Sequence, residues 1–351
     1  MNTPSPLQTA KDNFIFNLSK GRILQLSEFF QSSEDEDPLC QKLLEKWYKK
    51  ITELTFLPSI TENTQEIAIH NALNIIVKER NQEYELESDL TQNDLELVFE
   101  LIALNQKVNW NYKEPFASFY SKIQNHATRI SLIHHSASSD KYSKMFIRVL
   151  NQNVIPLTDY TSRPDFFTNA VLSKKNILIA GATGSGKTTF TNSLLSLIPK
   201  NEHTVLIEDT QELIAPHALT TKLLTEDSNS QKTMNAYLTY TLRMSPKRII
   251  LGELRGKEVE SYLLAMNTGH NGLLSTIHAN SALDSIYRFA LLFKIYSNNE
   301  LSFELILKLI TKNIDYVCFI KNKKLKEVIE IFGSEKEEVY YDLVKELTSY
   351  N

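Results

Sequence analysis

One short segment constrains this chain more than any other. Residues 181–188 read GATGSGKT, and they follow an apolar run, NILIA at 176–180, which predicts a buried strand. Residues 188–198 predict a helix that ends before Pro199. A strand, a glycine-rich loop and a helix in this order form the context in which the G-x-x-x-x-G-K-[ST] motif binds phosphate groups. The sequence therefore predicts an α/β unit built around this loop.

Each residue type in the loop has a physical role. Glycines let backbone N–H groups converge on phosphate oxygens, and the start of a helix adds unpaired N–H groups and a positive dipole end. The ammonium of Lys187 would lie at the β- and γ-phosphates, and the hydroxyl of Thr188 would hold Mg²⁺. We therefore predict a nucleoside triphosphate site formed by Gly181, Ala182, Thr183, Gly184, Ser185, Gly186, Lys187, Thr188 and Thr189.

Two further strands end in carboxylates. The strand at 205–208 leads into IEDTQEL with Glu208, and the strand at 248–251 leads into GELRGKE with Glu253. In an open parallel sheet, ligands bind beyond the carboxyl ends of the strands, so both acids should face the phosphate loop. We predict that Glu253 activates the attacking water and that Glu208 joins Thr188 around the metal. The alternative is that both are acids that merely begin helices.

A polar stretch, TGHNGLLSTIHAN at 268–280, contains His270 and His278. A zinc site is unattractive because neither cysteines nor an acidic cluster lie nearby. We predict that an imidazole reaches the γ-phosphate side, with His278 acting in catalysis and His270 in nucleotide binding. A purely structural role is the alternative for either histidine.

Chain length and patterning predict two domains. At 351 residues the chain is long enough for two. Residues 1–155 predict a smaller N-terminal α+β domain with an antiparallel hairpin over 129–135 and 144–150, and residues 156–172 predict a linker. In residues 173–351 strands alternate with helices, which predicts a mainly parallel sheet covered by helices.

Composition excludes several classes of protein. The net charge is −4 and no basic stripe is interleaved with aromatic residues, so direct nucleic-acid binding is not predicted. Two cysteines cannot form a disulfide framework. The longest apolar run is five residues, against about 20 for a membrane-spanning helix, and the N-terminus lacks the apolar core of a signal peptide. We expect a cytoplasmic protein without a transmembrane segment.

Four segments taken in order, GATGSGKTT, IEDTQEL, LRMSPKRIILGELRGKE and TGHNGLLSTIHANS, resemble the motif series of the hexameric secretion ATPases. Within that superfamily the chain is most similar to the traffic ATPase of type IV secretion systems. The resemblance implies a C-terminal RecA-like P-loop ATPase domain, ATP as the nucleotide, and a homo-hexamer on the cytoplasmic face of the inner membrane beside other type IV secretion components. It implies that ATP hydrolysis powers substrate export or pilus assembly.

The resemblance extends to the N-terminal half. Arg129, in HATRISLIHH, and Arg148, in MFIRVL, match two family arginines that reach the nucleotide from the N-terminal domain. The alternative is a pair of exposed hairpin arginines. One departure is Ser245-Pro246-Lys247, which stands where the family usually carries Arg-Pro-Asp.

Two other functions remain open. The first is a pilus or type II assembly ATPase of the same superfamily, although the four-cysteine metal insert common in type II assembly ATPases is absent. The second is a scaffold gated by nucleotide without hydrolysis. The retained acids Glu208 and Glu253 favour hydrolysis, because a scaffold needs phosphate contacts but no acid that orients water.

Overall fold

A computed structural model describes residues 6–31, 38–150, 153–226, 229–345 and 347. The chain divides into two compact units, Met1–Asn151 and Gln152–Asn351. Residues 1–5, on which the prediction about a signal peptide partly rests, lie outside the described residues. No described helix is both long enough and apolar enough to cross a membrane.

The first unit combines helices with one antiparallel sheet. Its elements are α1 (Pro6–Ser19), α2 (Leu26–Gln31), α3 (Pro38–Glu53), β1 (Thr64–Asn71), β2 (Asn74–Glu79), β3 (Glu83–Leu86), α4 (Gln92–Asn105), β4 (Phe116–Ile123), β5 (His126–Ile133) and β6 (Lys144–Val149).

The first sheet has the strand order β3-β2-β1-β6-β5-β4, and each neighbouring pair is antiparallel. The predicted hairpin is confirmed, because β5 pairs with β6. Side chains alternate across a strand, so one face of β5 and β6 buries Ile130 and Ile147 in the core while the other face carries Arg129 and Arg148.

The second unit alternates strands and helices, as predicted. After a short 3₁₀ turn at Leu157–Asp159 come α5 (Pro164–Leu172), β7 (Ile177–Ala180), α6 (Lys187–Leu195), β8 (Thr204–Glu208), β9 (Thr220–Leu224), α7 (Met234–Thr241), β10 (Arg248–Leu254), α8 (Glu258–Asn267), β11 (Leu274–Ile277), α9 (Ala282–Tyr296), α10 (Phe303–Asn313), β12 (Tyr316–Lys321), β13 (Lys324–Glu335) and β14 (Glu338–Leu343).

The second sheet has the order β14-β13-β12-β7-β11-β10-β8-β9. The pairs from β12 to β9 are parallel, whereas β12–β13 and β13–β14 are antiparallel hairpins. Every residue of β7, β8 and β11 is buried, as expected for strands covered on both faces. The carboxyl ends of β7, β8, β10, β11 and β12 therefore share one edge of the sheet, here called the loop edge.

The interval 156–172 is part of the second unit, so the prediction that it is a linker is wrong. Helix α5 buries Phe167 and Val171 in a core cluster with Phe190 of α6. Tyr160 joins the same cluster, with its ring 4.9 Å from that of Phe190. Pro156 and Pro164 suggested an extended connection, but Pro164 instead occupies the start of α5, where a fixed φ suits a helix.

Candidate functional site

The predicted phosphate loop joins β7 to α6 at the loop edge. Gly184 and Gly186 have φ values of 70° and 101°, in the left-handed region that glycine adopts without steric cost. Gly186 is the N-cap of α6 and provides no side-chain cap. By contrast, serine or threonine side chains cap α4, α7, α9 and α10. The first amides of α6 are therefore uncapped by side chains, as an anion site requires.

Gly181 is required by close packing. A Cβ atom at this position would lie 2.3 Å from the carbonyl oxygen of Ile320 and 2.6 Å from Ser185 Oγ. No side chain fits there without moving β12. Ser185 Oγ is itself buried and has no hydrogen-bond partner among the described residues.

Lys187 lies inside the loop and is only 8% exposed. Its Nζ donates to the carbonyl oxygens of Gly181 and Ala182, at 3.0 and 3.1 Å. Burial lowers the pKa of Lys187, while the negative charges of Glu253 and Glu212 oppose that shift. The ammonium is thus held at the loop by main-chain oxygens, with carboxylates close enough to favour its charged form.

His278 connects Lys187 to Glu253. Its Nδ1 lies 3.3 Å from Lys187 Nζ, and its Nε2 lies 2.8 Å from Glu253 Oε1. An ammonium can only donate, so Nδ1 accepts and the proton of a neutral imidazole faces Glu253. That second contact is short but poorly aligned, and Glu253 Oε1 is a buried oxygen without a hydrogen-bond partner in the described part of the chain. The structure therefore brings these three predicted residues together.

Glu208 reaches the same edge but is held differently. Its Oε2 accepts from the backbone amides of Glu212 and Leu213, at 2.9 and 2.8 Å. Its Oε1 lies 3.5 Å from Lys222 Nζ and is buried without a hydrogen-bond partner among the described residues. Burial raises the pKa of Glu208 to about 7, although the Leu213 and Glu212 amides and Lys222 act in the opposite direction. One oxygen thus stabilises the turn after β8, and the other faces Lys222 as an ion pair but accepts no hydrogen bond.

A second layer of charges surrounds these acids. Asp209 contacts the guanidinium of Arg255, whose other terminal nitrogen lies 3.9 Å from Glu253 Oε2. Glu258 Oε1 accepts from the backbone amides of Arg255 and Gly256, each at 2.6 Å. These contacts fix the chain that follows β10 and so orient Glu253.

The remaining predicted loop residues line the entrance. Ala182, Thr183 and Gly184 are exposed, and Thr188 and Thr189 are half-buried in the first turn of α6. A cavity of about 650 Å³ opens beside Ala182, Thr183 and His278, with Asp284 and Arg288 of α9 on its far wall. Its volume lies within the range of small-molecule sites.

His270 lies at the opposite edge of the sheet, so the structure does not bring it together with the phosphate loop, and its predicted role in nucleotide binding stays a prediction. Residues 268–273 connect the end of α8 to the start of β11. A Cβ atom on neighbouring Gly272 would lie 2.7 Å from Arg248 Nη1, at the start of β10. Because β11 runs toward the loop edge, its length separates the two histidines.

Arg129 and Arg148 belong to the first unit, and their predicted role at the nucleotide stays a prediction. They are directly opposite one another in β5 and β6, and Glu66 of β1 is opposite Arg148 on its other side. Arg129 Nε donates to Ser118 Oγ at 3.1 Å. Two like charges in one cross-strand pair are unfavourable unless an acid or a ligand balances them.

Two neighbours of the site were not predicted. Glu212 acts electrostatically on Lys187, and Lys323 of the β12–β13 turn lies against the loop. The acids in IEDTQEL were a visible signal for Glu212. The signal for Lys323 was the basic run KNKKLK at 321–326, but its importance depends on the order of strands in the sheet.

Comparison with known proteins gives a consistent result. Residues 122–336 match the family described as "Type II/IV secretion system protein". The chain is 32% identical over 250 residues to the type IV secretion system protein VirB11 of Bartonella quintana, covering 70% of this chain and 62% of that protein. It is 39% identical over 165 residues to PtlH of Bordetella pertussis, covering 45% of this chain and 49% of that protein.

Solved structures agree in fold. The pilus retraction motor PilT with bound ADP has a TM-score of 0.59 at 20% identity, covering 82% of this chain and 80% of that chain. The ATPase DotB of Legionella pneumophila has a TM-score of 0.54 at 16% identity, covering 80% of this chain and 76% of that chain. At these identities the likeness shows the fold alone.

The matches to VirB11 proteins cover part of each relative. The aligned region spans 62% of the Bartonella quintana protein and 50% of its Bartonella henselae counterpart. The family match covers 215 of the 351 residues of this chain, which is more than half of it. The resemblance drawn from the four motifs is thereby confirmed, and the chain belongs to the Type II/IV secretion system protein family.

Proposed function

We propose that this protein is a ring-forming ATPase of a type IV secretion system. The observation that carries the proposal is the contact series from Lys187 through His278 to Glu253. It links a phosphate-binding lysine to a carboxylate at one edge of the sheet, whose Oε1 touches His278 but still accepts no well-aligned hydrogen bond. A triphosphate held at the loop would lie beside the group needed to direct water at its γ-phosphorus.

Binding rests on the loop and on Lys187. The uncapped amides of α6 and the loop amides suit the α- and β-phosphates, and the buried ammonium suits the β- and γ-phosphates. The Lys187 side chain already contacts the loop carbonyls of Gly181 and Ala182. Exchanging those neutral acceptors for phosphate oxygens would give stronger, charge-assisted hydrogen bonds.

Hydrolysis rests on Glu253. Its buried Oε1 can accept a proton from water, and Arg255 and His278 fix the carboxylate from two sides. Water then forms a bond to the γ-phosphorus while the bond to the ADP oxygen breaks, and Glu253 receives the proton released by the water. The charge that develops on the transferring group is stabilised by Lys187 and, in this proposal, by Arg129 and Arg148 of the first unit.

Mg²⁺ is the cation that the family resemblance implies. Within the described ranges, no cluster of three or more His, Cys, Asp or Glu residues could hold a metal ion. Thr188 lies in the first turn of α6, and Glu208 Oε1 is buried and accepts no hydrogen bond in the same described residues, with Lys222 Nζ 3.5 Å away. This donor set fits a cation that takes most of its oxygen ligands from phosphate groups and water. Thr188 and Glu208 would hold Mg²⁺ there, and the ion would supply positive charge to the phosphate oxygens.

The relatives support the proposed biological role. VirB11 and PtlH are type IV secretion system proteins, and another relative is the conjugal transfer protein TrbB of Rhizobium radiobacter. We infer a homo-hexamer at the cytoplasmic face of the inner membrane, in contact with other secretion components, where ATP hydrolysis powers substrate export or pilus assembly.

The test is phosphate release from ATP and Mg²⁺ by the wild type and by Lys187→Ala. We expect the variant to lose at least about a thousandfold in turnover, because both binding and transition-state charge depend on the ammonium. Lys336→Ala, in the exposed β13–β14 turn, is the matched control and should keep full turnover. Sedimentation with ATP and Mg²⁺ should show a hexamer.

Three outcomes would contradict the proposal. Wild-type turnover in Lys187→Ala would refute the assignment of the loop. A wild type that binds ATP but releases no phosphate would favour the nucleotide-gated scaffold. A species that stays monomeric at micromolar protein with ATP and Mg²⁺ would count against the ring.

A further inference from the structure

A lysine-rich hairpin turn lies beside the phosphate loop. Four of the six residues at 321–326, KNKKLK, are lysines, although the whole chain has a net charge of −4. The turn joins β12 to β13, with Lys321 paired to Lys324 and Asn322-Lys323 between them. Because β12 is parallel to β7, with Phe319 opposite Ala180, the turn extends past the loop edge where residue 181 begins the loop.

The turn is packed directly on the loop. The backbone amide of Lys323 donates to the carbonyl oxygen of Ser185 at 2.8 Å. A Cβ atom at Gly186 would lie 3.3 Å from Lys323 Cα and 3.7 Å from both its Cβ and its Cγ. The Lys323 stem therefore runs alongside Gly186, the N-cap of α6. Gly186 leaves space for that stem, which any larger residue would crowd.

The ammonium of Lys323 has no acidic partner within the part of the chain that the structure describes. Three lysines close to the sheet in the second unit are paired instead: Lys175 with Asp315, Lys174 with Glu202 and Lys222 with Glu208. No such pair involves any lysine of the 321–326 run in the described residues. An unneutralised group of cations next to a phosphate-binding loop creates a positive potential that attracts anions.

The backbone conformation of the turn fixes the position of the Lys323 Cα atom, from which the side chain starts. Asn322 and Lys323 have φ values of 53° and 60°, as a two-residue turn between tightly paired strands requires. Asparagine tolerates this region better than lysine does, so a lysine at the second position is not what local geometry would select. The same backbone is found at Lys336-Glu337 in the β13–β14 turn, at the far end of the long strand β13. That turn offers a matched control without a neighbouring phosphate loop.

We propose that Lys323 is a further phosphate-binding residue, which contacts the α- and β-phosphate oxygens of the nucleotide from the β12–β13 turn. The proposal rests on the proposed nucleotide binding at the loop. The amides around Gly186 face the α- and β-phosphates, whereas Lys187 reaches the β- and γ-phosphates. Lys323 therefore binds ADP and ATP alike, and it contributes to affinity more than to the chemical step.

The experiment compares wild type, Lys323→Asn, Lys323→Arg and the control Lys336→Asn. ADP affinity is measured by titration calorimetry, and kcat and KM for ATP are measured by phosphate release. Asparagine keeps the left-handed turn and the amide contact to Ser185, so the ammonium and the outer part of the stem are lost while the backbone is kept. We expect Lys323→Asn to weaken ADP binding and raise KM by about three- to tenfold, because the lysine is exposed, with kcat within about twofold. The difference in ADP affinity between Lys323→Asn and wild type should shrink in 0.5 M salt, because the Debye length then falls to about 4 Å.

Lys323→Arg should restore most of the affinity, and Lys336→Asn should match the wild type. Wild-type ADP affinity in Lys323→Asn would overturn the inference while leaving the proposed function intact. The inference would also be overturned if Lys323→Asn weakened ADP binding, lowered the unfolding midpoint, and was not rescued by Lys323→Arg. That result would show a structural role for Lys323. A wild type that binds neither ADP nor ATP would instead refute the proposed function.

Discussion

At the edge of the second sheet where the parallel strands begin, Arg248 is 1% exposed and donates to Glu202 and to the carbonyl oxygen of Val171. Asp315 at the same edge accepts from Lys175 and from the amide of Asn176. At the loop edge, three oxygen atoms, Ser185 Oγ, Glu208 Oε1 and Glu253 Oε1, are buried without a hydrogen-bond partner among the described residues. The charged side chains named at the first edge are thus hydrogen-bonded, whereas two carboxylate oxygens at the loop edge accept no hydrogen bond.

The difference distinguishes buried polar groups that stabilise the fold from buried polar groups that form a binding or catalytic site. Buried charges that stabilise a fold are paired, because an unpaired one costs several kcal/mol. Unsatisfied buried oxygens persist where another requirement outweighs that cost, and they are a physical marker of a site. Three atoms of the segments that precede the parallel strands depart from the contrast, because His217 Nε2, Thr241 Oγ1 and His270 Nδ1 are also unpartnered within the described residues. The predictions below test whether the two edges behave as differently as their bonding.

The largest effect is expected at the paired edge. Arg248→Met leaves Glu202 without its closest cation and removes the bond to Val171, so the free energy of unfolding should fall by about 3 to 5 kcal/mol. Urea unfolding measures the loss, and ADP affinity of the folded protein should stay within about twofold. Lys247→Met, at the exposed neighbour, should change stability by less than about 0.5 kcal/mol. Equal losses of stability in Arg248→Met and Lys247→Met would contradict the structural role assigned to the contacts of Arg248.

A smaller and pH-dependent effect is expected at Glu208. Burial raises its pKa from 4.5 to about 7, so between these values the folded state binds a proton that the unfolded state has released. Stability therefore falls as pH rises through this window and stays low above it. Glu208→Gln should be more stable than wild type at pH 8 by up to about 3 kcal/mol, and by no more than about 1 kcal/mol at pH 5. Urea unfolding at pH 5 and pH 8 measures the difference in stability between the variant and wild type. The same difference at both pH values would contradict this account of the buried carboxyl.

The smallest effect distinguishes the two histidines. His278→Asn breaks the connection between Lys187 and Glu253, so kcat should fall by about ten- to a hundredfold through misplacement of both groups. His270→Asn, at the opposite edge, should leave kcat within about twofold. Phosphate release by the two variants provides the comparison. A larger loss of kcat in His270→Asn than in His278→Asn would contradict the assignment of catalysis to the loop edge.

Local patterns predicted the elements that local chemistry determines. The order strand, glycine-rich loop and helix over 176–198 identified β7 and α6, because glycine conformations and apolar runs act over a few residues. Glu208 and Glu253 were placed at one edge, since parallel strands carry their carboxyl ends together.

Local patterns did not suffice where neighbours distant in sequence decide the outcome. His270 and His278 are only eight residues apart, but β11 lies between them and places them at opposite edges. The prolines near α5 indicated a linker, but burial of Phe167 against Phe190 incorporates that segment into the second unit. Lys323 could not be recognised because the adjacency of β12 and β7 is a property of the whole sheet.

Glu253→Gln tests the central claim most directly, by measuring ATP binding and phosphate release on one preparation. The amide keeps the size of the side chain but cannot take the proton from water. The account predicts ATP affinity within about threefold of wild type and phosphate release slower by about a hundred- to ten-thousandfold. Turnover at the wild-type rate would show that water is activated elsewhere, and the loop edge would then no longer be the catalytic site.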